Sequence, residues 1–133
     1  MTTPPLILDT NVFSRKDFLN WLDSYHGEKN LPVVAYAEIC VDYVNRTGST
    51  SQIRNLLNKL NINIERLESR IAEYGAICGS EGDDFSDNAR DYLIGAHAHT
   101  PPLILVTSNV DDFWFLEDRV ITPDECMNRY GRF

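Results

Sequence analysis

Little in this chain suits a disulfide scaffold or a membrane. Its three cysteines, Cys40, Cys78 and Cys126, are odd in number and widely spaced, which fits neither a disulfide framework nor a zinc knuckle. No apolar run approaches the roughly 20 residues that a spanning helix needs. The opening MTTPPLIL has no basic residue ahead of its short apolar run, so no secretory signal is expected and the predicted location is cytoplasmic. Positive charge is also scarce: 12 Lys+Arg face 20 Asp+Glu, the formal charge is −8, and no lysine follows Lys59. Taken alone, that balance argues against a nucleic-acid partner, because neutralised phosphates dominate such binding. Carboxylates gathered around a divalent cation reverse the argument, since the cation attracts phosphate. Linkers, low-complexity tracts and solenoid repeats are missing too, so residues 1–133 read as a single domain.

What is present is a series of short aliphatic runs. LILDTN (6–11), LPVVAY (31–36) and LILVTS (103–108) predict buried strands, and RVIT (119–122) a further extended piece. Between them, apolar spacing of threes and fours predicts helices in FSRKDFLNWLDSY, AEICVDYVNR, SQIRNLLNKL (with Ser51 as cap), the end of INIERLESRIAEYGAIC, and ARDYLIGAHAH. PDECMNRY completes the set, with Thr122 as cap and Pro123 at the first helical position. GEKN (27–30) and GSEGDDFSDN (79–88) read as turns, the second placing a helix cap at Asp87 or Asn88. Strands alternating with helices predict an α/β fold, a central parallel sheet with helices on both faces. LILDTN and LILVTSN echo one another. In a parallel sheet both would deliver a threonine and an asparagine to the carboxyl edge, where such folds bind ligands.

Four carboxylates stand in surroundings that do not suit them. Asp9 ends a buried strand, and Glu38 lies within VVAYAEICV. Asp91 shares a helix face with Ile94, Gly95 and Ala98, and Asp112, beside Asp111, precedes FWFL. Each has an ordinary reading as a turn residue, a cap or a salt-bridge partner; for Asp91 that partner is Arg90. Burying a carboxylate costs several kcal/mol unless it is paired or bound to a cation. Together the four suggest hard oxygen ligands for Mg²⁺ or Mn²⁺, an ion that activates water and steadies a phosphoryl transition state.

The ordered set Asp9-Thr10-Asn11, Glu38, Asp91 in a helix of small residues, and TSNVDDF (107–113) resembles the PIN-domain ribonucleases, which include the toxins of VapBC-type toxin–antitoxin pairs. The resemblance covers almost the whole chain. It implies a PIN-like domain and metal-dependent endonucleolytic hydrolysis of RNA, with Asp9, Glu38, Asp91 and Asp112 as catalytic metal ligands. Thr10, Asn11, Thr107 and Asn109 would support them. The adjacent Asp111 leaves open which aspartate is the fourth ligand. The implied partners are RNA, an antitoxin protein and a second copy of the chain. Arg15, Lys16, Arg46, Arg54 and Lys59 are the basic residues available to line an RNA path, although solvated surface explains each of them. Ile53, Leu56, Leu57 and Leu60 form an apolar face available either to the core or to a dimer.

Two other readings compete. A haloacid-dehalogenase-like phosphohydrolase also opens on a strand aspartate, but it needs a second aspartate where Asn11 stands and a lysine beyond the threonine motif. A non-catalytic PIN-like binding module is the other, against which the four intact carboxylates argue. His97 and His99, two apart on a predicted helix, point about 200° away from each other and do not share a metal.

Overall fold

The computed structural model describes residues 3–131. Its five strands form one all-parallel sheet in the order β3-β2-β1-β4-β5. They are β1 (Leu6–Leu8), β2 (Lys29–Pro32), β3 (Ile62–Glu65), β4 (Ile104–Val106) and β5 (Val120–Ile121). Around them lie α1 (Lys16–Ser24), α2 (Val33–Thr47), α3 (Ser51–Leu60), α4 (Ser69–Gly82), α5 (Phe85–Ala96) and α6 (Pro123–Tyr130). Two 3-10 turns, Thr10–Ser14 and Val110–Leu116, follow β1 and β4. The predicted class holds: an α/β, PIN-like sheet covered by helices on both faces. Leu6, Ile7 and Leu8 are all buried, the mark of a central strand enclosed on both sides.

The topology makes the site. From β1 the chain steps outward to β2 and β3, then returns to add β4 and β5 on the other side. The strand order therefore reverses between β1 and β4, and open α/β sheets bind ligands at such a point. Leu8 lies opposite Val106, so Asp9 and Thr107 leave the sheet side by side.

Several predicted boundaries need correction. LPVVAY is strand only at Leu31 and Pro32: β2 starts earlier, at Lys29, and ends at Pro32, and VVAY opens α2 at Val33. Half of GEKN belongs to β2, where Lys29 and Asn30 are buried with partners that sequence cannot display. Lys29 Nζ donates to the Leu22 carbonyl at 2.8 Å, and Asn30 Nδ2 to the Leu6 carbonyl at 3.3 Å. GSEGDDFSDN is mostly helical, because α4 runs to Gly82 and α5 starts at Phe85. The turn shrinks to Asp83, at φ 55°, and Asp84; the start predicted near Asn88 survives as a break in α5. The cap position of α3 falls on Thr50, with Ser51 as first helical residue. At α6 the prediction stands: Thr122 and Glu125 form a reciprocal capping box ahead of Pro123.

On α3, Ile53, Leu57 and Leu60 are buried and Leu56 is half-buried against the core. These side chains close the domain, so that helix offers no spare apolar face for a dimer. Among the described residues no helix is long and apolar enough to cross a membrane.

Candidate active site at the carboxyl edge

Asp9 is fully buried where β1 ends, and every hydrogen bond it accepts has a structural origin. Oδ1 accepts from the Thr10 backbone N–H at 2.7 Å, capping the first 3-10 turn. Oδ2 accepts from Thr107 Oγ1 at 2.7 Å and from Asn11 Nδ2 at 3.3 Å. Asn11 ties the two strand ends together, donating to Thr107 Oγ1 at 3.2 Å and accepting from the Ser108 backbone N–H at 3.0 Å. Thr107 is itself buried, and the Asn109 N–H donates to its hydroxyl at 3.1 Å.

Glu38 reaches this edge from α2 and Asp91 from α5. Thr10 Oγ1 donates to Glu38 Oε1 at 2.5 Å. What joins all three acids is Arg90. Its Nε donates to Glu38 Oε2 at 2.7 Å, its Nη1 to Asp91 Oδ1 at 2.5 Å and its Nη2 to Asp9 Oδ1 at 2.6 Å. Nη2 also donates to Thr10 Oγ1 at 3.2 Å. Burial alone would lower the Arg90 pKa, but the hydrogen bond to Glu38 and the charge of Asp9 raise it further. The Asp91 carboxyl is pushed up, chiefly by burial and then by the charges of Asp112 and Asp9, while Arg90 pulls it down.

Asp112 stands apart from this knot. With Asp111 it occupies the exposed first turn of the second 3-10 helix, lining a shallow cleft with Ser108, Asn109, Val110 and Thr122. Of the two aspartates, Asp112 is the one whose charge reaches Asp91. The structure thus brings Asp9, Glu38 and Asp91 together with Thr10, Asn11 and Thr107, and leaves Asp111 and Asp112 at the rim.

Arg90 as the hub is what sequence reasoning missed. Neighbouring helical residues point about 100° apart, which conceals that a long arginine side chain can turn back to its neighbour's carboxylate. The available signal was the pairing with Arg90 considered for Asp91. Among the described residues no three His, Cys, Asp or Glu side chains form a ready cation site, because the guanidinium stands between the acids. The donor chemistry still fits a hard divalent cation: carboxylate oxygens from three different elements already meet around one positive group.

The basic residues do not assemble here. Arg15 is paired with Asp17 and Asp124, and Arg46 with Asp42 while lying over the Tyr43 ring. Lys16, Arg54 and Lys59 are exposed. Beside Thr10 and Glu38 opens a cleft of about 250 Å³, walled by Phe13, Ile39 and Tyr43.

The two histidines are separated. His99 stacks on Tyr74, with ring centroids 3.6 Å apart, whereas His97 is buried and its Nε2 finds no hydrogen-bond partner among the described residues. Burial pushes the His97 pKa down to about 4, partly opposed by Glu68. A depressed histidine pKa means the unfolded chain binds the extra proton first. The neutral-imidazole stability is therefore full above about pH 6.5 and is lost as pH falls through 4. Urea titrations should show a loss approaching about 3 kcal/mol across that window. The loss should be largely absent in His97→Phe; an unchanged acid limb in that variant would assign it to other groups.

No family model matches the sequence, and no curated protein matches it. Solved structures do. A chain of a toxin–antitoxin complex from Klebsiella pneumoniae superposes with a TM-score of 0.69 at 24% identity, covering 89% of this chain and 97% of that one. A chain of VapBC-1 from nontypeable Haemophilus influenzae gives 0.67 at 18% identity, covering 90% and 98%. At these identities the likeness is one of fold. Over nearly its whole length, the chain has the PIN-like fold found in toxin–antitoxin assemblies of the VapBC kind.

Proposed function

We propose that this protein is a metal-dependent endoribonuclease acting as the toxin of a toxin–antitoxin pair. One observation carries the reading: carboxylates from β1, α2 and α5 converge on a single positive group at the point where strand order reverses. Asp9, Glu38 and Asp91 would hold Mg²⁺ or Mn²⁺, with Asp112 (or its neighbour Asp111) at the open rim. When bound, such an ion supplies an activated water and offsets charge on the phosphoryl group. The chain's own part is preorganisation. Thr107 and Asn11 fix Asp9 Oδ2 while the Thr10 N–H holds Oδ1, the Thr10 hydroxyl fixes Glu38, and Asn109 holds the Thr107 hydroxyl through its backbone N–H.

The similarity to toxin–antitoxin complexes supports an antitoxin as protein partner. Val33, Val41 and Val44 are exposed along α2, and an apolar stripe of that kind suits a partner. A second copy of the chain competes for the same face, and light scattering at micromolar concentration separates the two.

The phosphohydrolase reading loses ground, since Asn11 is committed to Thr107 and Ser108 rather than free to shuttle a proton. A non-catalytic module has one observation in its favour, the guanidinium lodged among the acids. The deciding experiment incubates single-stranded RNA with the purified chain, with and without millimolar Mg²⁺ or Mn²⁺. Cleavage that requires the ion and a rise in Tm with either ion are expected. Release of phosphate from p-nitrophenyl phosphate with intact RNA would overturn the assignment.

A further inference from the structure

All three nitrogens of the Arg90 guanidinium are engaged inside the acidic knot. Nε serves Glu38, Nη1 serves Asp91, and Nη2 serves Asp9 and Thr10. One positive charge against three carboxylates leaves the cluster under-neutralised, so a divalent ion would be the better electrostatic match. The ion and the guanidinium need the same oxygens. Both cannot have them.

The arginine is also free to leave. Its side chain is 34% exposed, whereas that of Asp9 is 0% exposed and that of Asp91 16%. It therefore sits on the solvent side of Asp9 and Asp91, level with the Glu38 side chain at 38% exposed, and can rotate outward about its own torsions while the backbone of α5 stays in place.

We propose that Arg90 is a built-in competitor for the divalent cation, holding Asp9, Glu38 and Asp91 together in the metal-free protein and swinging out when the ion enters. This rests on the metal-dependent reading above. Competition lowers apparent metal affinity by the fraction of molecules in which the arginine is out. If that fraction is about 1–10%, removing the guanidinium tightens binding by roughly ten- to a hundredfold. Lysine should fall between, because a compact ammonium lacks the planar fork that spans several acceptors.

The test is Mn²⁺ titration calorimetry at pH 7 on the full chain as wild type, Arg90→Gln and Arg90→Lys. Binding at least about tenfold tighter in Arg90→Gln, with Arg90→Lys intermediate, is expected. Metal-free Arg90→Gln should melt below wild type, with Mn²⁺ raising its Tm more than it raises that of wild type. Equal or weaker Mn²⁺ binding in Arg90→Gln overturns the competition and leaves the metal-dependent nuclease standing. No Mn²⁺ binding in any of the three overturns both.

If Arg90→Gln does not fold without metal, wild type alone decides. The ¹⁵N resonance of the Arg90 Nε–H, shielded by Glu38 in the metal-free protein, is followed during a Mg²⁺ titration. Loss of its protection in step with Mg²⁺ occupancy supports the displacement. A resonance that stays protected at saturating Mg²⁺ overturns it.

Discussion

Asp9→Ala should lose about 3–5 kcal/mol of folding stability and at least roughly a hundredfold in RNA cleavage. The stability loss follows from burial: the carboxylate is inaccessible to water and accepts from the Thr10 N–H, Thr107, Asn11 and Arg90. Truncation strands those donors together, and water does not replace the lost acceptor. Asp9→Asn isolates the charge from the shape. It keeps the volume but offers Arg90 no anion, and its amide brings N–H groups toward donors. Cleavage should fall as far as in Asp9→Ala, while stability falls less. Urea denaturation alongside a gel-based RNA assay reads both. An Asp9→Asn enzyme with near-normal cleavage would remove Asp9 from the site, and Asn11→Asp should not improve on wild type.

The second large effect comes from a residue with no functional group. Gly95 on α5 lies beneath two aromatic rings. A Cβ there would come within 2.5 Å of Phe115 Cζ and 3.0 Å of Phe113 Cδ1. Phe115 cannot swing away freely, being packed on Tyr92 at 5.0 Å and Trp114 at 5.7 Å between ring centroids. In an exposed helix Gly→Ala stabilises by about 1 kcal/mol, but overpacking a filled core costs roughly 1–3 kcal/mol. Gly95→Ala should therefore be net destabilising, with Tm lowered by about 4 °C for each kcal/mol lost. Because the displaced rings belong to the 3-10 helix that carries Asp111 and Asp112, cleavage should drop in the folded fraction too. A stabilised Gly95→Ala would show that the aromatic layer yields more easily than its packing suggests.

The fold was legible where burial alone sets the pattern. LIL and ILV read as central strands because residues enclosed on both faces need no polar alternation. The start of β2 is hidden in sequence because its polar side chains donate to carbonyls outside their own segment, Lys29 to Leu22 and Asn30 to Leu6. The helical start of DDFSDN was hidden by aspartates and an asparagine that also suit turns. At the site, Asp9, Glu38 and Asp91 were conspicuous as acids in apolar company. Arg90 was not, since a cation beside an aspartate on a helix reads as ordinary surface chemistry. The placement of Asp111 and Asp112 at an exposed rim depends on a 3-10 geometry that the run VDDFWFL does not announce.

The bond from Thr107 to Asp9 closes a loop of 98 residues, and that from Asn11 to Thr107 one of 96. During synthesis the first strand therefore waits for nearly the entire chain before its aspartate acquires its final partners. Parallel strands paired across such separations form late and slowly. A ribosome carrying an unfinished copy thus displays Asp9 and Glu38 with neither Arg90 nor Thr107 to set them. The hydrogen-bonded knot at the carboxyl edge is therefore complete only once residue 107 of 133 has been made.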